Sequence, residues 1–387
     1  MFKNIGNIFF WVFISCFALS KNLLAYPNFI SYGYQSCMSC HYNPFGNGPL
    51  TDYGRAVGAS AISDKMFLDE HVSDEKIAER SGFFFQAPSN SWLRPSFNLR
   101  DLYLVSAVGT RSSSSRLISM DLSASLVILP PDFSQLLIVG QMAHASKPYG
   151  QVNNDEASYR SREHYVGYRL SKAIGLYVGL MDKVFGIRIP DHTSYSRTLT
   201  RHGQNDQTHG ALLHYVTKTY ELGVQPFLGN FAQDENLRQK GITSSFNFIT
   251  SKKSRVGASL LSSSSHYRKF LMYAMHSSIG FEEGNSLLIE GGGVRQTVIS
   301  TQQSTNSVYG MAQGHYLFRR GLFGICSFDY SRPDTFLEVD QIRIGPGLQF
   351  FPIQRIELLL SAYNTTISSS TNQKNYWDLL AQFHLWL

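Results

Sequence analysis

Ile118-Ser119-Met120-Asp121-Leu122-Ser123-Ala124-Ser125-Leu126-Val127-Ile128, followed at once by Leu129-Pro130-Pro131-Asp132, decides the fold. Ile118, Met120, Leu122, Ala124, Leu126 and Ile128 occupy alternate positions, and Ser119, Asp121, Ser123 and Ser125 lie between them. Side chains repeat every two residues along a strand and every 3.6 along a helix, so this stretch reads as a strand with one apolar face. The two prolines and the aspartate end it as a short turn.

The same alternation continues to the C-terminus. Trp377, Leu379, Ala381, Phe383, Leu385 and Leu387 form one face of the last segment, with Asp378, Gln382 and His384 on the other. Ile342, Ile344, Leu348 and Phe350 repeat the pattern against Gln341, Arg343 and Gln349, and Val308, Ala312, Tyr316 and Phe318 against Gln313 and His315. Sixteen such segments are expected, near 96–109, 116–129, 134–146, 159–171, 173–185, 207–217, 219–232, 240–250, 254–264, 267–279, 286–297, 306–318, 321–331, 336–351, 354–366 and 375–387. Compact turns alternate with longer loops, among them 147–158, 186–206, 232–239 and 297–306. An even number of strands with that alternation is the signature of an outer-membrane barrel. A soluble two-sheet protein is the competing architecture. The pattern by itself does not say which face points inward.

Composition agrees. Apolar residues make up 43% of the 387, charged residues 16% and aromatics 13%, which excludes a disordered chain. Mean hydropathy is slightly negative, so the apolar residues are not gathered into helical membrane spans. The net charge of +6 is modest and the basic residues are scattered, so no nucleic-acid partner is expected.

The one long apolar run comes first. Lys3 followed by Ile5 to Leu19 and then Ala25 reads as a secretory signal over residues 1–25. An uncleaved anchor is the competing reading, and Cys16 faintly suggests a lipoprotein site.

Cys37-Met38-Ser39-Cys40-His41 carries the chemistry. C-x-x-C-H is the attachment signature of c-type haem. Two thiols one helical turn apart reach the two vinyl groups of the porphyrin, and the next residue, His41, supplies the proximal axial ligand to iron. A disulfide between Cys37 and Cys40, a redox pair and a zinc site compete. No βαβ pattern and no second cysteine pair accompanies the motif. The loop Tyr42–Leu50 is rich in Pro and Gly, and Arg55 beyond it is a candidate partner for a haem propionate. Residues 59–80 read as a polar helical segment. Cys326, within a strand, is given no chemistry.

The connection from Phe185 to His209 is dense in basic and aromatic residues. Folded inward, it would set Arg188, His192, Arg197, Arg201 and His202 in the lumen; as a surface loop it would do nothing of the kind. His192 is the first candidate for a distal iron ligand. His202, His209, His214, His276, His315, His384, His71 and several methionines compete, and the sequence does not choose among them.

Taken together, the expected chain is a signal peptide over 1–25, a haem-bearing plug segment over 26–90 and an all-β, transmembrane antiparallel barrel of about sixteen strands over 91–387. The arrangement resembles the fused monohaem cytochrome–porins of iron-oxidising bacteria. The resemblance covers the whole architecture and is specific around Cys40-His41, Pro49-Leu50, Tyr53-Gly54-Arg55 and Gly58. It implies one covalent haem c held by Cys37, Cys40 and His41. It also implies electron transfer at or across the outer membrane of a Gram-negative-type cell. The implied partners are membrane lipid, a soluble periplasmic cytochrome and an extracellular donor or acceptor. Two departures stand out: the Gly-rich stretch Asn43–Gly48, and the loop at 185–209, which has no counterpart in that family. A passive porin with a haem-bearing plug, and a haem enzyme or sensor with an open iron position, are the rival functions.

Overall fold

The computed structural model describes residues 27–68, 71–86, 92–108, 110, 113–145, 158–191, 193–282 and 284–387. The expected signal, with Cys16, and His192 lie outside the described residues.

From Leu93 to Trp386 the chain forms one antiparallel sheet in which neighbours in sequence are neighbours in space. The first strand, Leu93–Val108, also pairs with the last, Gln373–Trp386, through the register Asn98↔Trp386 to Val105↔Leu379. The sheet is therefore a closed barrel. One wall position is filled by two short pieces, Ser158–Arg160 and His164–Arg169, both paired to Leu136–Ala145. Counting that pair as one strand gives sixteen, and each expected segment is found. The strand expected over 173–185 stops earlier, as Ile174–Met181.

The apolar face points out. Leu126, Val178, Leu213, Phe246, Leu260, Tyr273, Ile289, Leu348 and Leu379 are all exposed on the exterior. Their polar neighbours Ser123, Gln225, Ser245, Asn247, Ser259, Glu290, Gln313, Asp329 and Gln349 are buried on the lumen side. Such an exterior is built to meet lipid, and the barrel is of the outer-membrane type.

The stretch that decided the fold contains one correction. Arg100 pairs with Asp121 but Asp101 pairs with Ser119, so Met120 is the extra residue of a β-bulge. A bulge reverses which face each residue takes. Leu122, Ala124 and Leu126 face outward as expected, whereas Ile118 shares the lumen register of buried Leu102, and Met120 is buried.

The lumen wall is not polar throughout. Val127, Leu137, Val139, Tyr165, Tyr177, Met181 and Leu212 form a buried apolar patch covered by Tyr42 and Phe45. Phe227, Leu261, Phe270, Met272 and Val294 form a second, covered by Phe185 and Leu199. Leu317, Phe323 and Phe351 form a third, covered by Ile62, Tyr32 and Trp386. Each patch lies where an internal segment docks: residues 27–86 on the first and third, residues 182–207 on the second.

Replacing Leu260, in the middle of Ser254–Ser264 and 52% exposed on the exterior, by Arg is expected to cost about 2–4 kcal/mol of stability in a bilayer. Urea titration of the barrel folded into vesicles measures it; an unchanged midpoint would place that face away from lipid.

Candidate functional site

The segment before the barrel enters the lumen at the end with the short turns. Gln35 donates to the Ser251 carbonyl, and the Arg255 guanidinium to the Gln35 carbonyl at 2.6 Å. Ser36 Oγ donates to Glu221 at 2.6 Å, Asn43 to Glu163 at 2.9 Å and Arg94 to Asp52 at 2.9 Å. Arg320 donates to the Ser60 carbonyl and to Asp74, and Arg355 to the Gly82 carbonyl. These partners are spread around the circumference, so the segment bridges the barrel mouth. Of the helix expected over 59–80, two short helical pieces form, Gly58–Ile62 and Asp74–Glu79. Ile77 is buried, while Met66 and Phe67 are exposed.

Cys37–Ser39 is a single 3₁₀ turn capped at its start, where the Met38 N–H donates to the Ser36 hydroxyl. The N–H groups of Cys40 and His41 both donate to the Cys37 carbonyl, at 3.1 and 2.9 Å. The two thiols therefore stand one turn apart, as the spacing predicted. Cys37 and Cys40 are free thiols and not a disulfide. Burial pushes both thiols up, Cys40 to about 11. Burial also lowers His41 to about 4, which the nearby backbone of Gly48 and Asn47 partly offsets. The imidazole is thus neutral at pH 7. Its Nδ1 is buried without a hydrogen-bond partner.

The loop after His41 is drawn back by an antiparallel bridge between His41 and Leu50. Its tip uses left-handed backbone at Gly46, Asn47 and Gly48. Gly48 lies so close to the Glu163 carboxylate that a Cβ would collide with it. The glycines of this loop answer to close packing against the wall.

The second segment is the basic-aromatic connection. It folds inward, as one of its two readings required, and spans residues 182–207. Every second wall strand holds it: Val184 N–H on Gln225 at 3.0 Å, Gly186 N–H on Ser259 at 3.0 Å and Ile187 N–H on Glu290. At the far side Arg343 bridges Asp191 at 2.8 Å and Asp329 at 2.6 Å, with Ser194 donating to Asp329. The two internal segments also meet. Asn47 donates to Asp182 at 2.7 Å, and Arg188 donates to the Gly46 carbonyl at 3.0 Å while pairing with Asp182 at 2.9 Å. Burial pushes the Asp182 carboxyl up, but Arg188, Arg197, Asn47 and Arg162 together outweigh it and hold the group below the ordinary carboxylate range.

Between the two segments and the wall lies a cavity of about 440 Å³, within the range of small-molecule and cofactor sites. Cys37, Cys40 and His41 line it, with Phe45, Leu50, Gly58, Phe185, Ile187 and Trp386. Arg55, expected as a propionate partner, also lines it; its guanidinium donates to the Pro95 carbonyl at 2.6 Å.

The other histidines separate clearly. His276 and His384 line the cavity. His384 is already bonded to Glu357 and Asn98, at 2.8 and 2.6 Å. His202 stacks on Phe185 outside the cavity, and His209 stacks on Phe231. His214 and His315 are bonded within the wall to Glu221 and Gln313, and His71 is exposed. Cys326 is exposed on a strand and far in sequence from the motif. The sequence reading missed Arg100, Arg162, Arg255 and Arg355, which also line the cavity. Each sits among other polar residues of a strand or turn, where nothing in the sequence sets it apart.

Comparison with solved structures adds the fold family. The outer-membrane channel DcaP of Acinetobacter baumannii matches with a TM-score of 0.59 at 11% identity, over 79% of this chain and 99% of that one. The fold is that of the outer-membrane porins. An anion-selective porin from Comamonas acidovorans matches at 0.57 and 7% identity, over 76% and 99%. Salmonella typhi OmpF matches at 0.57 and 11% identity, over 76% and 97%. No protein-family model matches the sequence, and no curated protein matches it significantly. The share of this chain left uncovered is comparable in length to the segment that precedes the first strand.

Arg343→Met removes the guanidinium that binds buried Asp329 and half-buried Asp191, and removing one side of a buried pair costs about 3–5 kcal/mol. Lowered thermal stability together with larger, noisier single-channel currents in planar bilayers is the expected result. Unchanged currents would mean that the inward segment does not depend on this clamp.

Proposed function

We propose that this barrel carries one covalent haem c in its lumen and passes electrons at or across the outer membrane. The observation that carries the reading is the position of the Cys37–His41 turn: both thiols and the imidazole face a cavity enclosed by the plug segment, the inward loop and the wall.

The residues present fit the group. Two free thiols stand one turn apart next to a neutral histidine with an unsatisfied ring nitrogen. Gly58 is buried, lines the cavity and would point a Cβ into open space, which leaves room for a flat macrocycle against the plug. Cys37 and Cys40 would hold the haem, His41 would ligate its iron, and Arg55 stands ready for a propionate. Bound there, the haem supplies one-electron transfer. The chain itself excludes bulk water with Phe45, Leu50, Phe185, Ile187 and Trp386, and fixes the motif through the bonds of Ser36 to Glu221 and of Arg255 to Gln35. For the distal position, His276 is the cavity histidine with the weakest existing contact, 3.3 Å to Ser259. His192 stays a candidate on sequence alone.

One haem does not cover an apolar band ~25 Å tall. The reading therefore needs partners at both ends. A soluble periplasmic cytochrome suits the short-turn side, where the motif enters, and an extracellular donor or acceptor suits the other.

A passive porin is the second reading. It draws on the likeness to diffusion channels, which bears on the barrel and not on the motif. Against it stand the two internal segments, which occupy the lumen and dock on apolar wall patches.

Expression with c-type maturation machinery separates the two. The wild type is expected to keep haem through denaturing electrophoresis and to show a c-type spectrum, and Cys37→Ala/Cys40→Ala to lose both. A haem-free wild type with steady ion conductance would leave the porin reading. A covalent, high-spin iron that binds small ligands would point to an enzyme or sensor.

A further inference from the structure

Two histidines meet on the outer face of the barrel, at the end with the long loops. His164 opens the strand His164–Arg169, and His209 is the second residue of Thr208–Val216. Both pair with Leu180, which lies between them on Ile174–Met181. Leu180 continues the outward register of Leu176 and Val178, which are exposed, yet it is itself only 2% exposed. Strands two positions apart are separated by roughly 9–10 Å. The two imidazoles nevertheless have their centroids 5.3 Å apart, at 61°. The rings therefore lean toward each other above Leu180. Phe231 stacks on His209 at 3.9 Å and holds that ring in place.

Their hydrogen bonds engage the same nitrogen on each ring. His164 Nδ1 lies 2.8 Å from Ser161 Oγ, and that hydroxyl donates its one proton to the Glu163 carbonyl at 3.1 Å. His164 Nδ1 must therefore carry the ring proton and donate it, which leaves a lone pair on Nε2. His209 Nδ1 lies 3.3 Å from the Gly229 carbonyl and 3.2 Å from the Phe231 nitrogen. With Phe231 donating, the His209 proton sits on Nε2. Moving that proton to Nδ1, where the Gly229 carbonyl accepts it, frees the second Nε2 with no net loss of a proton. Histidines that ligate metals are held in this way, one ring nitrogen donating to a carbonyl or hydroxyl and the other free. The spacing fits as well. With metal–nitrogen bonds of about 2.0–2.1 Å, two imidazoles on one tetrahedral ion have centroids about 5 Å apart. Among the described residues no set of three or more histidine, cysteine or carboxylate side chains gathers at one point, so water completes the shell.

We propose that His164 and His209 form a two-imidazole site on the outer rim for one divalent transition-metal ion of the class of Zn²⁺, Ni²⁺ and Cu²⁺. Imidazole suits these ions, whereas Mg²⁺ and Ca²⁺ take oxygen ligands. The inference stands apart from the haem reading, since neither histidine lines the lumen cavity. Its place in the fold gives the ion a task. The inward segment leaves the wall after Met181 and the wall resumes at Thr208, so Leu180 and His209 flank the root of that segment. An ion held by His164 and His209 spans three adjacent wall strands there and ties the root to the strand beside it.

The test is calorimetric titration of the purified full chain in detergent with Ni²⁺ at neutral pH, its free thiols alkylated beforehand so that they do not compete. The wild type is expected to take up one ion, and His164→Ala and His209→Ala each to weaken binding by about tenfold or more. Ser161→Ala removes only the group that orients His164, so it should weaken binding without abolishing it. His144→Ala, a change to a histidine that packs against Tyr159 elsewhere on the wall, should leave the titration as it is. Ni²⁺ should also raise the melting temperature of the wild type and of His144→Ala, and not that of His164→Ala or His209→Ala. His164 is exposed and His209 half-buried on the exterior, so both alanine variants are expected to fold, and electrophoretic mobility without heating checks that they have. Equal Ni²⁺ affinity in the wild type and both folded variants, or no binding by the wild type, would overturn the proposal. Either result is obtained whether or not the chain carries haem, so it does not bear on that reading.

Discussion

Lipid offers no hydrogen bonds, and that constraint orders this structure. Every N–H and C=O in the spanning wall must find its partner within the wall. The pairing of Asn98 with Trp386 and its neighbours closes the sheet and removes the last open edge. Closure then dictates the faces. Leu, Val and Phe turn to the hydrocarbon, while Ser, Gln, Asn, Glu and His are committed to the inside, where they must be satisfied by each other or by whatever enters the lumen.

Two segments enter, and they use both kinds of contact. Glu290, Gln225 and Ser259 receive backbone N–H groups of the inward loop. The apolar patches around Tyr177, Phe270 and Phe323 receive Phe45, Phe185 and Ile62. A water-filled pore would have no use for such patches on its inner wall. They are the physical reason for reading the lumen as an occupied compartment, with the Cys37–His41 turn held inside it.

Much of this was legible in the sequence. Alternation exposed all sixteen strands, because a lipid face on one side and a polar lumen on the other give the strongest period-two signal a chain can carry. The bulge at Met120 was not legible, since an extra residue leaves the apolar pattern looking continuous while it exchanges the faces. The motif and its one-turn spacing were evident, and so was the basic-aromatic density of the loop that folds inward. Its anchors were not. Arg343, Asp329 and Glu290 sit in ordinary alternating strands, where a polar residue that grips a loop looks the same as one that faces water. Arg100 and Arg355, which line the cavity, were hidden for the same reason.

The plug's grip on distant parts of the chain sets an order of events. Residues 27–86 are made before the barrel, yet Asp64, Asp74 and Gly82 dock on Arg319, Arg320 and Arg355, separated from them by about 250 residues or more of sequence. Those docking points exist only once the late strands have found their places. The segment must therefore wait, accessible, on the periplasmic side while the wall assembles. Any chemistry performed on its cysteines has that interval in which to occur. Docking then closes the Cys37–His41 turn inside the lumen, so assembly itself sets when that turn stops being reachable.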